Sequence, residues 1–176
     1  MKKAAIVLSA IFFLYSCSGK SKKTGPLDFS NDFEGQIGWV DIPHGTLMFG
    51  DAHSGKVLAK TTPENQYSFG FHRALKDLSS KRIKKAEISA WINLSSANSA
   101  GSLVLAIDSA NTGLFWKGIA SKDFTTTPGK WTEMKGSILI PSTVSRNGEL
   151  KVYFWNSGKD PILVDDIDVS LKEASN

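Results

Sequence analysis

The sequence has a single cysteine, Cys17, among 176 residues, so no disulfide can form within the chain. Histidine is nearly as scarce: His44, His53 and His72 fall in three separate segments. No Cys/His cluster has the spacing of a zinc or transition-metal site, and no EF-hand loop is present. No Ser-His-Asp or Cys-His arrangement is marked by spacing. Long apolar runs are missing too. The longest, residues 4–15, covers twelve positions, too few to span a bilayer as a helix. An excess of one charge is also absent once its position is considered. The formal charge is +4, but Lys2, Lys3, Lys20, Lys22 and Lys23 all precede residue 27. From there on 16 Lys or Arg face 17 Asp or Glu, which removes the electrostatic basis for nucleic-acid binding.

The chain opens on MKKAAIVLSAIFFLYSC. Two lysines before a short apolar stretch have the pattern of a signal peptide over residues 1–16, with a buried N-terminal strand or helix as the alternative. LYSC at 14–17 resembles the lipobox of bacterial lipoproteins, with Tyr15 standing where a small residue is usual. The resemblance implies acylation of Cys17, a membrane anchor made of acyl chains, and location at the outer membrane or cell surface. Residues 17–26 then read as a lipidated cysteine and a flexible tether. The tether lysines keep it solvated or lie against anionic headgroups.

Residues 27–176 suit one domain with a substantial core. Period-two alternation marks strands: Tyr67, Phe69 and Phe71 share a face, as do Ala86, Ile88, Ala90 and Ile92. LVLAI at 103–107, LFWKGIA at 114–120, SILI at 137–140 and LKVYFW at 150–155 continue the series, with turns such as PGK and RNGE between them. Only residues 73–85 carry a weak helical stripe, and a short turn at the sheet edge is expected there. The pattern predicts an all-β fold, an antiparallel two-sheet β-sandwich.

Five stretches sharpen this expectation: NDFEGQIGW at 31–39, DAHSGKVLA at 51–59, AEISAWI at 86–92, GKWTEMKGSILIP at 129–141 and LVDDIDVSL at 163–171. In that order they resemble the landmarks of galactose-binding-like jelly-roll modules of the carbohydrate-binding-module type. The resemblance implies a structural calcium ion held by Glu34 and Asp165, with His53 and Lys56 lending carbonyl oxygens. Calcium takes six to eight hard oxygen ligands, roughly, which two carboxylates, carbonyls and water can supply. Strand parity puts Asp165 in phase with Ile167, Val169 and Leu171, on the core side. There it either serves the ion or accepts backbone N–H bonds or a lysine. Asp51 is a further candidate by proximity alone.

Aromatic residues make up 10% of the chain, and most belong in the core. Those that break the apolar phase are the ligand candidates. Trp91 lies opposite the Ala86–Ile92 face beside Glu87; Tyr153 and Trp155 lie opposite Leu150, Val152 and Phe154; Trp116 follows behind them. Flat rings beside Glu, Lys and Asn suit a sugar's C–H faces and hydroxyls. Loop-covered satellite clusters would give the same pattern. Trp39 and Trp131 are expected to plug the ends of the core. A glycosidase needs two carboxylates across a cleft, and Glu87 with Asp108 is the pair to consider. The expected protein is a non-catalytic, lipid-anchored envelope module binding a polysaccharide or oligosaccharide. Contact with another envelope protein, or a structural role in the envelope, is the alternative.

Overall fold

The computed structural model describes residues 25–35, 39, 46–110 and 113–175. The expected signal peptide, the expected tether as far as residue 24, with Cys17, and His44 lie outside the described residues. The strands are β1 (Asp28–Asn31), β2 (Leu47–Phe49), β3 (Val57–Thr61), β4 (Phe71–Ala74), β5 (Ile83–Leu94), β6 (Gly101–Ser109), β7 (Gly113–Ala120), β8 (Thr132–Leu139), β9 (Glu149–Asn156) and β10 (Ile162–Glu173). The only α-helix among the described residues is α1 (Leu75–Leu78), a single turn that follows β4. The first sheet has the order β2-β3-β10-β5-β8, with β1 also paired to β10; the second is β4-β9-β6-β7. All these strand pairs are antiparallel. This is the all-β, two-sheet antiparallel sandwich that the alternation predicts, in the jelly-roll-like form that the resemblance implies.

The core lies between the sheets and follows from that alternation. β5 sends Ala86, Ile88, Ala90 and Ile92 inward, β6 sends Leu103, Leu105 and Ile107, and β9 sends Leu150, Val152 and Phe154. Each such aliphatic or aromatic side chain contributes about 1.5–3 kcal/mol by leaving water. Trp39 joins them, its ring 5.5 Å from that of Phe71. Trp131 does not: it lies outside the core and donates its indole N–H to the Asp51 carbonyl at 3.2 Å. Tyr67 also departs from its expected face. Phe69 and Phe71 are buried, yet Tyr67 is 54% exposed, because β4 starts only at Phe71 and Tyr67 precedes it as an isolated bridge to Trp155.

The largest departure is in β10. Asp165 pairs with Trp91 and Asp168 with Ser89, so three steps on β10 match two on β5. One extra residue makes a β-bulge and reverses the inward–outward phase beyond it. Ile162 and Val164 point inward before the bulge, Ile167, Val169 and Leu171 after it. Asp165 is therefore not on the core side. It shares the outer face of the first sheet with Trp91, and Asp166 takes a left-handed φ of 47° to complete the bulge.

Close packing fixes one glycine. A Cβ at Gly101 would lie 2.4 Å from Cζ of Phe154, a ring that is itself fully buried. Gly101→Val is expected to cost about 1–3 kcal/mol through overpacking, read by urea unfolding. Adding Phe154→Leu should recover part of that loss; additive costs would show that the two sites do not share this space.

Candidate functional site

On the outer face of the second sheet, register places the side chains in rows across the strands. Trp155 of β9 stands opposite Ser102 of β6, Tyr153 opposite Val104, and Lys151 opposite Ala106. On the far side of β6, Ala106 meets Trp116 and Val104 meets Gly118. Trp116 leans along its strand, for a Cβ at Gly118 would come within 2.8 Å of its Cη2. Its indole donates a hydrogen bond to the Tyr153 hydroxyl, while burial pushes that phenol's pKa up. Trp116 and Trp155 meet edge to face with centroids 6.1 Å apart, and Tyr153 and Tyr67 do so at 5.6 Å. Beneath the rings, Val104 and Ala106 are buried although they lie outside the main core.

The result is a row of aromatic rings over a floor of short side chains, running from β7 across β9 to Tyr67. Trp116 remains 42% exposed and Tyr67 54%. Trp155 is half-buried, and its indole N–H is buried with no hydrogen-bond partner among the described residues. A buried, unused donor is costly and is normally satisfied by water or a ligand. Polar groups flank the row: Lys151 Nζ lies 2.5 Å from Asp108 Oδ2, and His72 contacts Glu149.

Tyr153, Trp155 and Trp116 thus come together, as expected from their phase. Trp91 and Glu87 do not join them, because β5 belongs to the other sheet. The Trp91 ring is stacked on His53, centroids 3.6 Å apart and planes within 11°, so that face is covered. Glu87 sits in a depression of about 590 Å³ with Asp28, Ser89, Ser137, Asp168 and Ser170. Lys85 Nζ, 2.7 Å away, holds its carboxyl below the usual carboxylate range by hydrogen bonding and charge. Asp108 is on the opposite sheet, so the two carboxylates considered for glycoside hydrolysis do not share a cleft.

Of the residues expected around calcium, Glu34 and Asp165 both bond the turn before β3, to which His53 and Lys56 belong. Glu34 Oε1 accepts the N–H groups of Lys56 and Val57 at 2.5 and 2.6 Å, which hold its pKa below the usual range. Asp165, with no exposed surface, accepts from Ser54 N at 3.0 Å and Asp166 N at 2.8 Å. The His53 ring turns instead to Asp166, with Nδ1 2.6 Å from Oδ2. Ser54 Oγ donates to the other oxygen of Asp166 at 2.8 Å. The carboxylates therefore engage the turn through its N–H donors, while the Lys56 carbonyl, expected as a ligand, accepts from Gly50 N at 3.0 Å. No group of three or more His, Cys, Asp or Glu with metal-ligand geometry occurs among the described residues. A calcium ion here would depend on carbonyl and water oxygens for most of its shell.

No protein-family model matches the sequence, and no curated protein does. Solved structures do resemble it. The CBM22-2 xylan-binding domain of Paenibacillus barcinonensis Xyn10C has a TM-score of 0.56 at 20% identity, over 82% of this chain and 99% of that one. The tandem of both such modules from that enzyme gives 0.59 at 20% identity, over 88% of this chain and 52% of that one. The C-terminal family 22 carbohydrate-binding module of Clostridium thermocellum Xyn10B gives 0.55 at 11%, over 84% and 95%. At these identities the likeness is one of fold: the chain has the β-sandwich found in carbohydrate-binding modules.

Tyr67 is the site residue that strand parity hides, since alternation with Phe69 and Phe71 places it inside. The polar, turn-forming PENQ at 63–66 just before it is the signal that the strand has not yet begun.

Burial of Asp165 sets a pH dependence. Desolvation raises its pKa from 3.8 to about 6 against the opposing Ser54 and Asp166 N–H bonds. The folded state then holds a proton that the unfolded chain releases between those values. Its contribution falls as pH rises through that window, by roughly 3 kcal/mol in all. In buffer with chelator, the stability of the wild type relative to Asp165→Asn should decline from pH 4 to 6 and level off above. A difference that is flat with pH would show that Asp165 is ionised throughout.

Proposed function

We propose that this chain is a non-catalytic glycan-binding module whose ligand lies along the rings of Trp116, Trp155, Tyr153 and Tyr67, tethered to the bacterial envelope through Cys17. The observation that carries the reading is the row itself: exposed rings above an apolar floor, with the unpartnered Trp155 N–H buried among them. Ring faces suit the C–H faces of sugars, and that N–H suits a hydroxyl. The ammonium of Lys151 is already paired with Asp108, which favours a neutral chain over a polyanionic one. The resemblance in fold to xylan-binding domains makes plant β-linked polysaccharides the first ligands to try. Contact with an envelope protein is the second reading. It rests on the other sheet's edge strand β2, where Phe49 is 80% exposed and Met48 41%.

Binding to an array of plant and host polysaccharides tests the first reading. Changing Tyr153 and Trp155 together to alanine should weaken binding about 100-fold, the equivalent of two aromatic contacts, with the fold intact by circular dichroism. No binding to any glycan by the folded wild type would sink it.

Calcium at the turn before β3 belongs to the same proposal, as a clamp joining the Glu34 segment to β10 rather than as a catalytic group. The convergence of Glu34 and Asp165 on residues 53–57 supports it. Added calcium should raise the melting temperature of the wild type, chelator should lower it, and Glu34→Gln with Asp165→Asn should abolish both effects. A wild-type melting temperature indifferent to calcium removes the ion from the reading.

A further inference from the structure

The row of rings does not run off the open edge of the sheet. Past Tyr67 the chain folds back in a turn in which Thr62 N donates to the Asn65 carbonyl at 3.0 Å and Asn65 N to Thr62 Oγ1 at 3.2 Å. The segment after the turn is tied to β9 by Asn156 N donating to the Gln66 carbonyl at 2.8 Å and Ser68 N to the Phe154 carbonyl at 2.9 Å. Between this segment and β4 lies a cavity of about 770 Å³, within the range of small-molecule sites. Tyr67 and Tyr153 belong both to its lining and to the aromatic row. Its other walls include Asn65, Gln66, His72 and Thr46.

Thr46 is the telling residue. It is 5% exposed, lines this cavity, and its Oγ1 has no hydrogen-bond partner among the described residues. Its own carbonyl is used, accepting from Lys60 N at 2.8 Å, which fixes the residue beside β3. A fixed, desolvated hydroxyl in a cavity wall carries a cost that a ligand hydroxyl would remove. Gly70, also in the lining, lies so close to β9 that a Cβ there would come within 2.3 Å of the Val152 carbonyl oxygen.

From this arrangement we infer that the cavity is a subsite for a terminal sugar unit, recognised by Thr46 and the amides of Asn65 and Gln66. The inference rests on the glycan reading of the aromatic row. A sugar within a linear chain needs an exit on both sides, and on one side the cavity is walled by Pro63, Glu64 and Asn65 of the 62–65 turn. A terminal unit needs only one. Two sources present that chemistry: the end of a chain, and a single-sugar branch on a chain that continues along the rings.

The test titrates the full chain with three forms of one backbone: long linear xylan, xylohexaose and arabinoxylan. A second series uses linear mannan, mannohexaose and galactomannan. Terminal-unit binding predicts that the linear polymer is the weakest ligand per site. Preference for the branched polymer assigns the subsite to branches; preference for the hexasaccharide alone assigns it to chain ends. Thr46→Val should remove about three- to tenfold of that preference, the worth of one hydrogen bond, and leave binding of the linear polymer unchanged. The same variant should unfold at higher temperature than the wild type, because a methyl replaces a buried, unsatisfied hydroxyl. Equal binding of all three forms, unaffected by Thr46→Val, overturns the subsite while leaving the aromatic row as a binding face. If no form in either series binds the folded wild type, the subsite falls together with the glycan reading.

Discussion

One inserted residue in β10 governs the layout of the first sheet. β10 is the strand against which β1, β3 and β5 all pair, so a phase change within it is felt across the sheet. The bulge lets Ile162 and Val164 on one side and Ile167, Val169 and Leu171 on the other all face the core. It also leaves two adjacent carboxylates where neither belongs to the core. Asp165 reaches the backbone of the turn before β3, and Asp166 takes the side chains of His53 and Ser54. Glu34 closes on the same turn from the other side. Three separate segments are thus joined without a disulfide. The join uses N–H donors to carboxylates, which are stronger than neutral hydrogen bonds.

The two outer faces have been put to different uses. On the first sheet, Trp91 is spent on stacking with His53, and the neighbouring positions are serines and carboxylates bonded to one another, as in Asp28 with Ser170 and Ser89 with Asp168. On the second sheet the aromatic rings are only partly committed. Trp116 bonds Tyr153, and together with Trp155 they shelter Val104 and Ala106, yet Trp116 and Tyr67 keep much of their surface. The satellite cluster and the proposed ligand platform, alternatives when only the sequence is considered, do not exclude each other: the rings that shelter this floor are the ones proposed to carry the ligand. Rings that cover a floor are held in place by it, which lowers the entropy lost when a ligand settles on them.

Strand alternation made most of the fold legible, because period two survives wherever a strand is regular. It gave the inward faces of β5 and β9 and the outward position of Tyr153 and Trp155, while the continuous apolar run of β6 marked a strand without showing its faces. It failed at Asp165 and at Tyr67 for related reasons. A bulge and a strand that begins late both break the count, and neither leaves a mark in hydrophobicity alone. Trp91 and Glu87 were rightly read as outward. Parity says only that a residue faces out of its own sheet, not which sheet that is, so their separation from Tyr153 needed the strand order. Thr46 was invisible for a different reason: a threonine earns notice only when its hydroxyl is seen to lack a partner.

The chain enters the sandwich at β1 and leaves it at β10, and both strands belong to the first sheet. The rings sit on the far side of the second, one sheet spacing of about 10 Å further on. Asp28 pairs with Ser170, so both ends of the domain lie side by side. Any support joined at either of them is attached to the sheet that does not carry the rings.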